Sequence, residues 1–313
     1  MDIIEKLNEY GKKRKPLFFA IDFEMKNWIL EDENVQFKLE KFRNYEHINL
    51  PKKSKISNKL HVSFQEYEKA LNKVKEEIKK GNTYLLNLTF KTKLEGEIDL
   101  ESIFHSANAP FKLHVKDKFV CFSPERFVKI EDNQISTYPM KGTIDASEEN
   151  AKEKILANQK EMSEHTMVVD LLRNDLGIVA KNIQVEKFRY IEKINAGKKE
   201  LLQVSSKITG DLDETWHESL GYILAKMLPA GSITGTPKKK TVQIINKIED
   251  YERGFFTGVF GYYDGKSLDS AVMIRFIEKT EDGYIYKSGG GITLDSDALS
   301  EFEEMKDKVY IPS

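Results

Sequence analysis

The chain has 313 residues, of which 40% are hydrophobic and 11% aromatic, enough to build a sizeable core. This composition excludes a disordered chain, and the length favours two domains or one large unit. Lys+Arg 49 against Asp+Glu 51 leaves a net charge of −2, which disfavours nucleic-acid and membrane partners. No apolar run approaches the ~20 residues that span a bilayer, and no secretory signal is evident, so we expect a cytoplasmic protein.

Cysteine and histidine chemistry is not favoured. The single cysteine, Cys121, excludes an internal disulfide and an all-cysteine metal site. It lies in an apolar segment, where we expect a structural thiol. The histidines lack the paired spacing that is typical of metal ligands, so a zinc enzyme is also disfavoured.

The start of the chain is charge-rich and has little regular pattern. An apolar run over 17–23 predicts a strand, and the charged stretch 51–55 predicts an exposed joint. We therefore expect residues 1–54 to be a short N-terminal part of the same fold unit as a main domain over 55–313.

Helical and extended segments follow the joint. Ser63 and Glu66 have the spacing of a capping box, and apolar residues at helical spacing continue until Gly81 ends the helix. A strand is predicted over 84–90. The next helix is predicted over 145–177.

The remaining extended segments are short and several suggest hairpins. They are predicted over 119–122, 127–130, 258–263, 270–276 and 284–287. A last helix follows Asp297 and runs to about Val309. Long helices interleaved with many strands of this kind predict an α+β fold rather than a doubly wound parallel sheet.

Two pairs of glutamates stand three residues apart on predicted helices. Glu161 and Glu164 share one helix face, and Glu301 and Glu304 share another. Carboxylates on two facing helices can hold a hard cation such as Mg²⁺, which prefers oxygen ligands and retains waters. In a chain with 32% charged residues, each pair alone is more simply a solvated acidic face.

Four further segments carry residues suited to catalysis or anion binding. Glycines 289–291 let backbone amides approach an anion, but a tight turn before the last helix explains them equally well. Glu125 and Lys141 can act as an acid and as a nucleophile or base, although both can simply be exposed. The small-residue segment 229–238 can offer backbone donors or simply turn. The run Lys238-Lys239-Lys240 favours a solvated helix start over a binding patch.

Together and in this order, the segments resemble the chorismate-utilising enzymes, the family of anthranilate, aminodeoxychorismate, isochorismate and salicylate synthases. The matching motifs are Ser-Pro-Glu-Arg-Phe at 123–127, Pro-Met-Lys-Gly-Thr at 139–143, Ser-Glu-His-Thr-Met-Val-Val-Asp-Leu from 163, Pro-Ala-Gly-Ser-Ile-Thr-Gly-Thr-Pro-Lys at 229–238, Gly-Gly-Gly-Ile at 289–292 and Glu-Phe-Glu-Glu at 301–304. The resemblance covers roughly residues 60–310. It implies a large two-layer sheet sandwich with flanking helices, and it makes 55–313 the chorismate-binding catalytic domain.

The motif around Lys141 is similar to that of aminodeoxychorismate synthases, whereas anthranilate synthases typically have alanine there. The resemblance implies that Lys141 attacks C2 of chorismate and that Glu125 protonates the departing C4 hydroxyl, which leaves C4 open to ammonia. A depressed pKa is therefore expected for Lys141. The strand over 84–90 lacks the lysine with which isochorismate and salicylate synthases activate water, which argues against water as the nucleophile.

The resemblance also implies ligands and a partner. The residues expected to bind chorismate are Arg275, Gly142, Thr143, Gly289, Gly290, Gly291, Lys308 and Gln203. Glu164 and Glu304 are expected to bind Mg²⁺, with Glu161 and Glu301 in support. Ammonia is expected from a separate glutamine amidotransferase subunit, and the product, 4-amino-4-deoxychorismate, would serve p-aminobenzoate and folate synthesis.

Two positions depart from the family pattern. Gln203 stands where many members have histidine, and it cannot carry a proton. Phe256 stands where several members have tyrosine, which removes a hydroxyl. Two alternatives therefore remain open: anthranilate synthase component I, and a catalytically impaired chorismate-binding paralogue.

Overall fold

The computed structural model describes residues 2–31, 33–46, 54–196 and 199–311. In chain order, the helices are α1 (Ile3–Lys12), α2 (Phe64–Lys79), α3 (Leu100–Ser106), α4 (Ala151–Ala157), α5 (Gln159–Val179), α6 (Leu220–Met227), α7 (Lys238–Ile248) and α8 (Ala298–Asp307). Short 3-10 turns lie at Trp216–Ser219 and Gly231–Ile233. Among these described segments, no helix combines the length and the apolar character needed to cross a membrane.

The strands are β1 (Leu17–Ile21), β2 (Trp28–Leu30), β3 (Val35–Lys38), β4 (Lys55–Leu60), β5 (Leu85–Glu97), β6 (Phe111–Val115), β7 (Phe119–Ser123), β8 (Arg126–Glu131), β9 (Gln134–Thr137), β10 (Met140–Asp145), β11 (Lys181–Ala196), β12 (Lys199–Asp211), β13 (Gly235–Thr236), β14 (Val259–Tyr263), β15 (Leu268–Val272), β16 (Phe276–Thr280) and β17 (Gly283–Ile292). They form two large antiparallel sheets. One has the order β10-β12-β9-β8-β15-β14-β1-β2, with β11 paired to β12, and the other has β13-β5-β17-β16-β7-β6-β3, with β4 paired to β5. The expected α+β fold with sheets and flanking helices is confirmed.

The apolar core fills both sides of β1. Leu17, Phe19 and Ile21 belong to one buried cluster, while Phe18 and Ala20 belong to a second. Side chains alternate between the faces of a strand, so a strand buried on both faces is apolar at every position. The second cluster also contains residues of β3, β6 and β7, which ties the two sheets together.

The capping box predicted for α2 is confirmed. Ser63 Oγ accepts the Glu66 N–H, and the Glu66 side chain accepts the Ser63 N–H at 3.0 Å. Later in the chain, the Asp297 carboxylate accepts the Ser300 N–H at 2.9 Å and begins α8. These local bonds satisfy backbone donors that a helix leaves without partners. Of the joint predicted over 51–55, residues 51–53 lie outside the described residues, and Lys55 begins β4. The division into 1–54 and 55–313 stays a prediction.

The single helix predicted over 145–177 is wrong. Asp145 ends β10 and pairs with Leu201 of β12, and the helical segment that follows is divided into α4 and α5. Asn158 causes the break, because its backbone is extended (ψ 110°) and its side chain caps α5 by accepting the Glu161 N–H. The division makes α5 begin at Gln159, immediately before Glu161 and Glu164.

The strand predicted over 270–276 is also wrong in its extent. β15 ends at Val272 and β16 begins at Phe276, in the other sheet. Between them Arg275 has φ +55°, a left-handed conformation that a strand cannot contain. The chain changes sheets at this point, and the change brings Arg275 to a cavity.

Candidate functional site

A cavity of about 570 Å³ is lined by both sheets, α5 and α8. It brings together all the residues that the sequence predicted for the site: Glu125, Lys141, Gly142, Thr143, Glu161, Glu164, Gln203, Arg275, Gly289, Gly290, Gly291, Glu301, Glu304 and Lys308. The lining also includes Asn87, Ser232 and Phe256. These residues are widely separated in the sequence, so the fold alone assembles them.

Lys141 lies in β10, where the pairing with β12 is irregular. The register shifts between Met140 and Thr143, and Gly142 has φ +83° within this bulge. Glycine adopts that conformation without the strain of a side chain. A bulge re-aims the side chains beside it, and here Lys141 and Thr143 both line the cavity.

The expectation of a depressed pKa for Lys141 is wrong. Its Nζ lies 2.6 Å from Glu164 Oε2. Burial opposes the positive charge, but the attraction of nearby carboxylates, with Glu164 foremost, outweighs it and raises the pKa of Lys141. The lysine is therefore held as an ammonium ion by an acidic residue of α5.

In Glu125 the surroundings favour the uncharged form, whereas in Lys141 they favour the charged form. Burial raises the pKa of its carboxyl, against the weaker opposing effects of Ser232, Arg275 and Lys141. The Ser232 hydroxyl donates a hydrogen bond to Oε1 of this carboxyl. The protonated form of Glu125 is thus more stable than that of an exposed glutamate, which suits a general acid.

Arg275 presents an unsatisfied donor. Its Nε is buried without a hydrogen-bond partner among the described residues, and its guanidinium lies 5.3 Å from the ring centre of Tyr310. The left-handed backbone of Arg275 is the kind of strain that functional sites retain. A planar anion such as a carboxylate matches the guanidinium fork and would satisfy the free N–H.

Gln203 presents an unsatisfied acceptor on the neighbouring strand. It pairs directly with Thr143 across β10 and β12, and its side chain is buried, with 9% of the residue exposed. Its Oε1 makes no hydrogen bond within the described part of the chain. A buried amide oxygen without a donor is costly, so a ligand N–H or O–H in the cavity would be stabilising there.

The simple interpretation of the acidic pairs as solvated faces does not hold for two members. Glu164 is 9% exposed and Glu301 is 5% exposed. Glu301 Oε1 accepts a hydrogen bond of 2.9 Å from Ser296. Glu304 is more exposed, and Lys308 Nζ lies 2.7 Å from its Oε1 and donates to Gly289 O at 2.9 Å. Lys308 thus contacts both the acidic cluster and the backbone of β17.

The carboxylates fit a magnesium ion by donor chemistry, and two of them approach the same place. A Cβ added to Gly290 would lie 3.6 Å from Glu301 Oε2 and 3.9 Å from Glu304 Oε1, so both carboxylates converge on one backbone position that carries no side chain. Over the described ranges, no three His, Cys, Asp or Glu side chains are arranged to hold a metal together. Mg²⁺ commonly uses only one or two protein carboxylates and completes its coordination with waters and substrate oxygens. These residues can supply the one or two carboxylates.

Glycines 289–291 lie in a strand rather than in a turn or at a helix start. They belong to β17 and pair with residues of β5, and Gly289 lies opposite Thr89. A Cβ on Gly289 would stand 2.1 Å from Leu88 O, so this glycine permits close pairing of the strands. Gly290 instead faces the acidic residues of the cavity.

Ser232, like Asn87, lines the cavity but was not predicted as a site residue, although its segment was predicted to offer backbone donors or to turn. The solvated start predicted for α7 is wrong in one respect, because Lys238 Nζ lies 2.7 Å from the buried Asp175 Oδ2 of α5. Small residues at 229–236 followed by a lysine were a signal for a loop packed closely against a helix. The residue that pairs with Lys238 could not be inferred from that signal.

The comparisons with known proteins identify the family of the chain. A family model described as "chorismate binding enzyme" matches residues 13–312. An "Uncharacterized PabA-like protein" of Haemophilus influenzae is 49% identical, over 99% of this chain and 96% of its own length. Aminodeoxychorismate synthase component 1 of Salmonella typhimurium is 32% identical over 78% of this chain, and anthranilate synthase component 1 of Aquifex aeolicus is 31% identical over 78%. The chain spans 56% and 51% of those two relatives.

Solved structures share the fold at low sequence identity. Anthranilate synthase component I from Streptococcus pneumoniae superposes with a TM-score of 0.70 at 23% identity, covering 82% of this chain and 59% of that one. The menaquinone-specific isochorismate synthase MenF from Escherichia coli gives a TM-score of 0.77 at 15% identity, covering 97% and 79%. With a family match over nearly the whole length, the chain belongs to the chorismate-binding enzymes.

Proposed function

We propose that the chain is component I of an aminodeoxychorismate synthase, which converts chorismate and ammonia to 4-amino-4-deoxychorismate. The observation that carries this proposal is the presence in one cavity of the Lys141 amine and the Glu125 carboxyl, whose pKa is raised by burial. The relative from Salmonella typhimurium bears the name of this activity and supports the proposal.

In the proposed reaction, the neutral amine of Lys141 forms a bond to C2 of chorismate, the ring double bonds shift, and the C4–O bond breaks. Glu125 gives its proton to the C4 oxygen, which leaves as water. Ammonia then adds at C4, the double bonds shift back, and the bond between C2 and Lys141 breaks. Because Lys141 is paired with Glu164, its amine must first leave that carboxylate and lose its proton.

Chorismate carries two carboxylates and a C4 hydroxyl, and the cavity offers a complement for each kind of group. We assign the enolpyruvyl carboxylate to Arg275, whose buried Nε–H has no partner in the described chain. Lys308 adds positive charge, and backbone groups at Gly142 and Gly290 are the expected further contacts. Gln203 Oε1 is the expected acceptor for a substrate donor.

We propose that Mg²⁺ is held by Glu164 and Glu304, with Glu161 and Glu301 in support. The oxygen donors of the four glutamates support this assignment. The approach of Glu301 and Glu304 to Gly290 supports the part that α8 plays in it. The bound ion would neutralise charge on the ring carboxylate of chorismate.

We propose a separate glutamine amidotransferase subunit as the source of ammonia. The sequence contains no recognisable glutaminase apparatus, and the Salmonella typhimurium relative is named as a component 1. The product would then pass to a separate lyase that forms p-aminobenzoate for folate synthesis.

The test is chromatography with mass detection after the purified chain is mixed with chorismate, Mg²⁺ and an ammonium salt. We expect a product that added lyase converts to p-aminobenzoate. Anthranilate instead would overturn the proposal in favour of the second activity named among the relatives. If chorismate stays unchanged, the assay is repeated with an amidotransferase subunit and glutamine, and continued absence of product would indicate a chorismate-binding protein without turnover.

The matched variants for this assay are Lys141→Ala and Lys207→Ala. Lys207 forms an ion pair with Glu186 on the β11–β12 hairpin and does not line the cavity. We expect a loss of at least about 10²-fold for Lys141→Ala and little change for Lys207→Ala. Undiminished amination by Lys141→Ala would exclude the nucleophilic role.

A further inference from the structure

The loop between α6 and α7 brings a hydroxyl to the Glu125 carboxyl. Within this loop, the 3-10 turn Gly231–Ile233 carries Ser232, which lines the cavity. The Ser232 hydroxyl donates to Glu125 Oε1. The backbone of Glu125 is held independently, because Ser123 Oγ accepts its N–H at 3.1 Å and its carbonyl accepts the Val272 N–H at 3.1 Å.

Ser232 is itself held in place by buried contacts on both sides. Lys238, at the end of the loop, pairs with Asp175 of α5 at 2.7 Å and donates to Met227 O at 2.6 Å. A Cβ on Gly231 would stand 2.7 Å from Asp175 Oδ2, so the loop lies directly against that carboxylate.

The other side of the turn is held by Arg253. This side chain is 1% exposed, and its Nη1 donates to Ile233 O at 3.0 Å. Thr234 Oγ1 donates to Ala230 O at 2.8 Å and closes the turn on itself. A hydroxyl on such a fixed turn is oriented before any ligand arrives, which is the condition for a preorganised site.

The direction of the hydrogen bond determines where Glu125 can carry a proton. Since the Ser232 hydroxyl donates to Oε1, that oxygen is an acceptor, and the acid proton belongs on Oε2. The charged side chains that act on this carboxyl are Arg275, beyond β15, and Lys141 of β10. Both favour the carboxylate, as does the hydroxyl, while burial opposes it.

We propose that Ser232 is a positioning residue for Glu125. The Ser232 hydroxyl fixes Oε1 as the acceptor, so that Oε2 presents the proton to the substrate. The same hydroxyl stabilises the Glu125 carboxylate that remains after the proton has been transferred. The proposal rests on the proposed function, in which the Oε2–H bond breaks, the proton joins the C4 oxygen, and the C4–O electron pair leaves with water. A proton from solvent later restores the acid.

The test compares Ser232→Ala with Ser232→Thr, which keeps a hydroxyl at the same carbon. For Ser232→Ala we expect kcat to fall roughly 10- to 100-fold, the range for a lost hydrogen bond to a charged group. The loss of activity on the alkaline side should also move to higher pH, because the carboxylate has lost a stabilising donor. Ser232→Thr should restore kcat to within a few-fold and return the wild-type pH profile.

A purely structural role predicts a different pattern. In that case Ser232→Ala would weaken chorismate binding and lower Tm while leaving the pH profile unchanged, and this result would overturn the proposal. A wild-type kcat and pH profile in Ser232→Ala would overturn it as well.

A measurement without turnover separates this proposal from the proposed function. The carboxyl of Glu125 is titrated by ¹³C NMR in glutamate-labelled protein, with Glu125→Gln to assign the signal. We expect a higher pKa for Glu125 in Ser232→Ala than in the wild type. An unchanged titration in a protein that aminates chorismate defeats the role of Ser232 alone, whereas a shifted titration in a protein that does not aminate chorismate defeats the proposed function alone.

Discussion

Lys141 of β10 and Glu164 of α5 form an ion pair with 2.6 Å between Nζ and Oε2. A second pair, between Lys308 and Glu304, measures 2.7 Å at the end of α8. Each acidic helix therefore has one carboxylate already paired with a lysine of the cavity. Any cation that used these oxygens would compete with an ammonium group, so metal binding and the freedom of Lys141 are coupled.

This competition predicts that Lys141→Ala binds Mg²⁺ more tightly than the wild type. Removing the ammonium removes its competition for Glu164 Oε2, and for a partly exposed ion pair the gain is about 1 kcal/mol, or roughly five-fold in Kd. Isothermal titration calorimetry with MgCl₂ at fixed pH and ionic strength measures it. Lys207→Ala, which removes an ion pair outside the cavity, is the control and should bind Mg²⁺ as the wild type does. Equal or weaker binding by Lys141→Ala would contradict the shared use of Glu164.

Local chemistry made parts of the fold predictable. The capping box of Ser63 and Glu66 and the cap at Asp297 act within a few residues, so the sequence contains the complete interaction. The three-residue spacing of Glu161 and Glu164 likewise determines a shared helix face once the helix exists. Each of the motifs supplies one segment of the cavity wall, so the residues that they singled out lie together, and the roles assigned to these residues stay predictions.

Features that depend on distant partners were not predictable. Pairing with β5 makes glycines 289–291 part of a strand. The sequence of these three glycines does not indicate the close approach of Gly289 to Leu88 O. The left-handed conformation of Arg275 follows from a change of sheet. The raised pKa of Lys141 depends on Glu164, which α5 brings close only after Asn158 divides the helical segment.

The neighbouring glycines of β17 predict a clear contrast between two variants. Gly289→Ala would force a methyl group to within 2.1 Å of Leu88 O, so the strands must separate and we expect a loss of about 1–3 kcal/mol or more in unfolding free energy. In Gly290→Ala the methyl group has ordinary contacts of 3.5–3.9 Å with Lys308, Glu301 and Glu304, so the fold should be retained.

The methyl group of Gly290→Ala would nevertheless occupy space beside the acidic residues. We expect Tm close to that of the wild type, together with at least roughly ten-fold weaker chorismate binding, the effect of about 1.4 kcal/mol. Thermal unfolding and equilibrium binding of chorismate measure the two quantities on the same preparations. Normal binding by Gly290→Ala would show that the ligand does not use this face of β17.

Glu125→Gln should lose activity, and at neutral and alkaline pH it should be more stable than the wild type. Without the acid we expect amination to fall about 10²- to 10⁴-fold. Burial raises the folded-state pKa of Glu125 above its ordinary value of 4.5. Below pH 4.5 this carboxyl therefore does not lower the unfolding free energy, and as the pH rises through the raised pKa the unfolding free energy falls. Glutamine does not ionise, so the stability advantage of the variant should grow with pH. Urea unfolding at pH 4.5 and 8 tests this, and a variant less stable than the wild type at pH 8 would contradict it.

His217 should make the fold sensitive to acid at a place remote from the cavity. Its ring stacks on Trp216 with 3.8 Å between ring centres, and Nδ1 lies 2.7 Å from the Tyr263 hydroxyl. Burial, with a smaller effect of Arg14, lowers the pKa of His217 from 6.5 to about 4. The unfolded chain binds this proton more tightly than the folded protein does. The contribution of neutral His217 to the unfolding free energy is therefore complete above pH 6.5 and is lost as pH falls towards 4.

The difference of about 2.5 pKa units corresponds to a loss on the order of 3 kcal/mol across that range. We expect the unfolding free energy of the wild type to decline more steeply between pH 7.5 and 4 than that of His217→Gln, which cannot take up this proton. The comparison uses the slope, because the glutamine also removes the stacking on Trp216 and lowers stability at every pH. Burial also lowers the pKa of His165 to about 4. Because His165 is present in both proteins, its effect on the slope is the same in each and does not change the comparison. Parallel declines in urea unfolding would mean that His217 is protonated in the folded protein without cost.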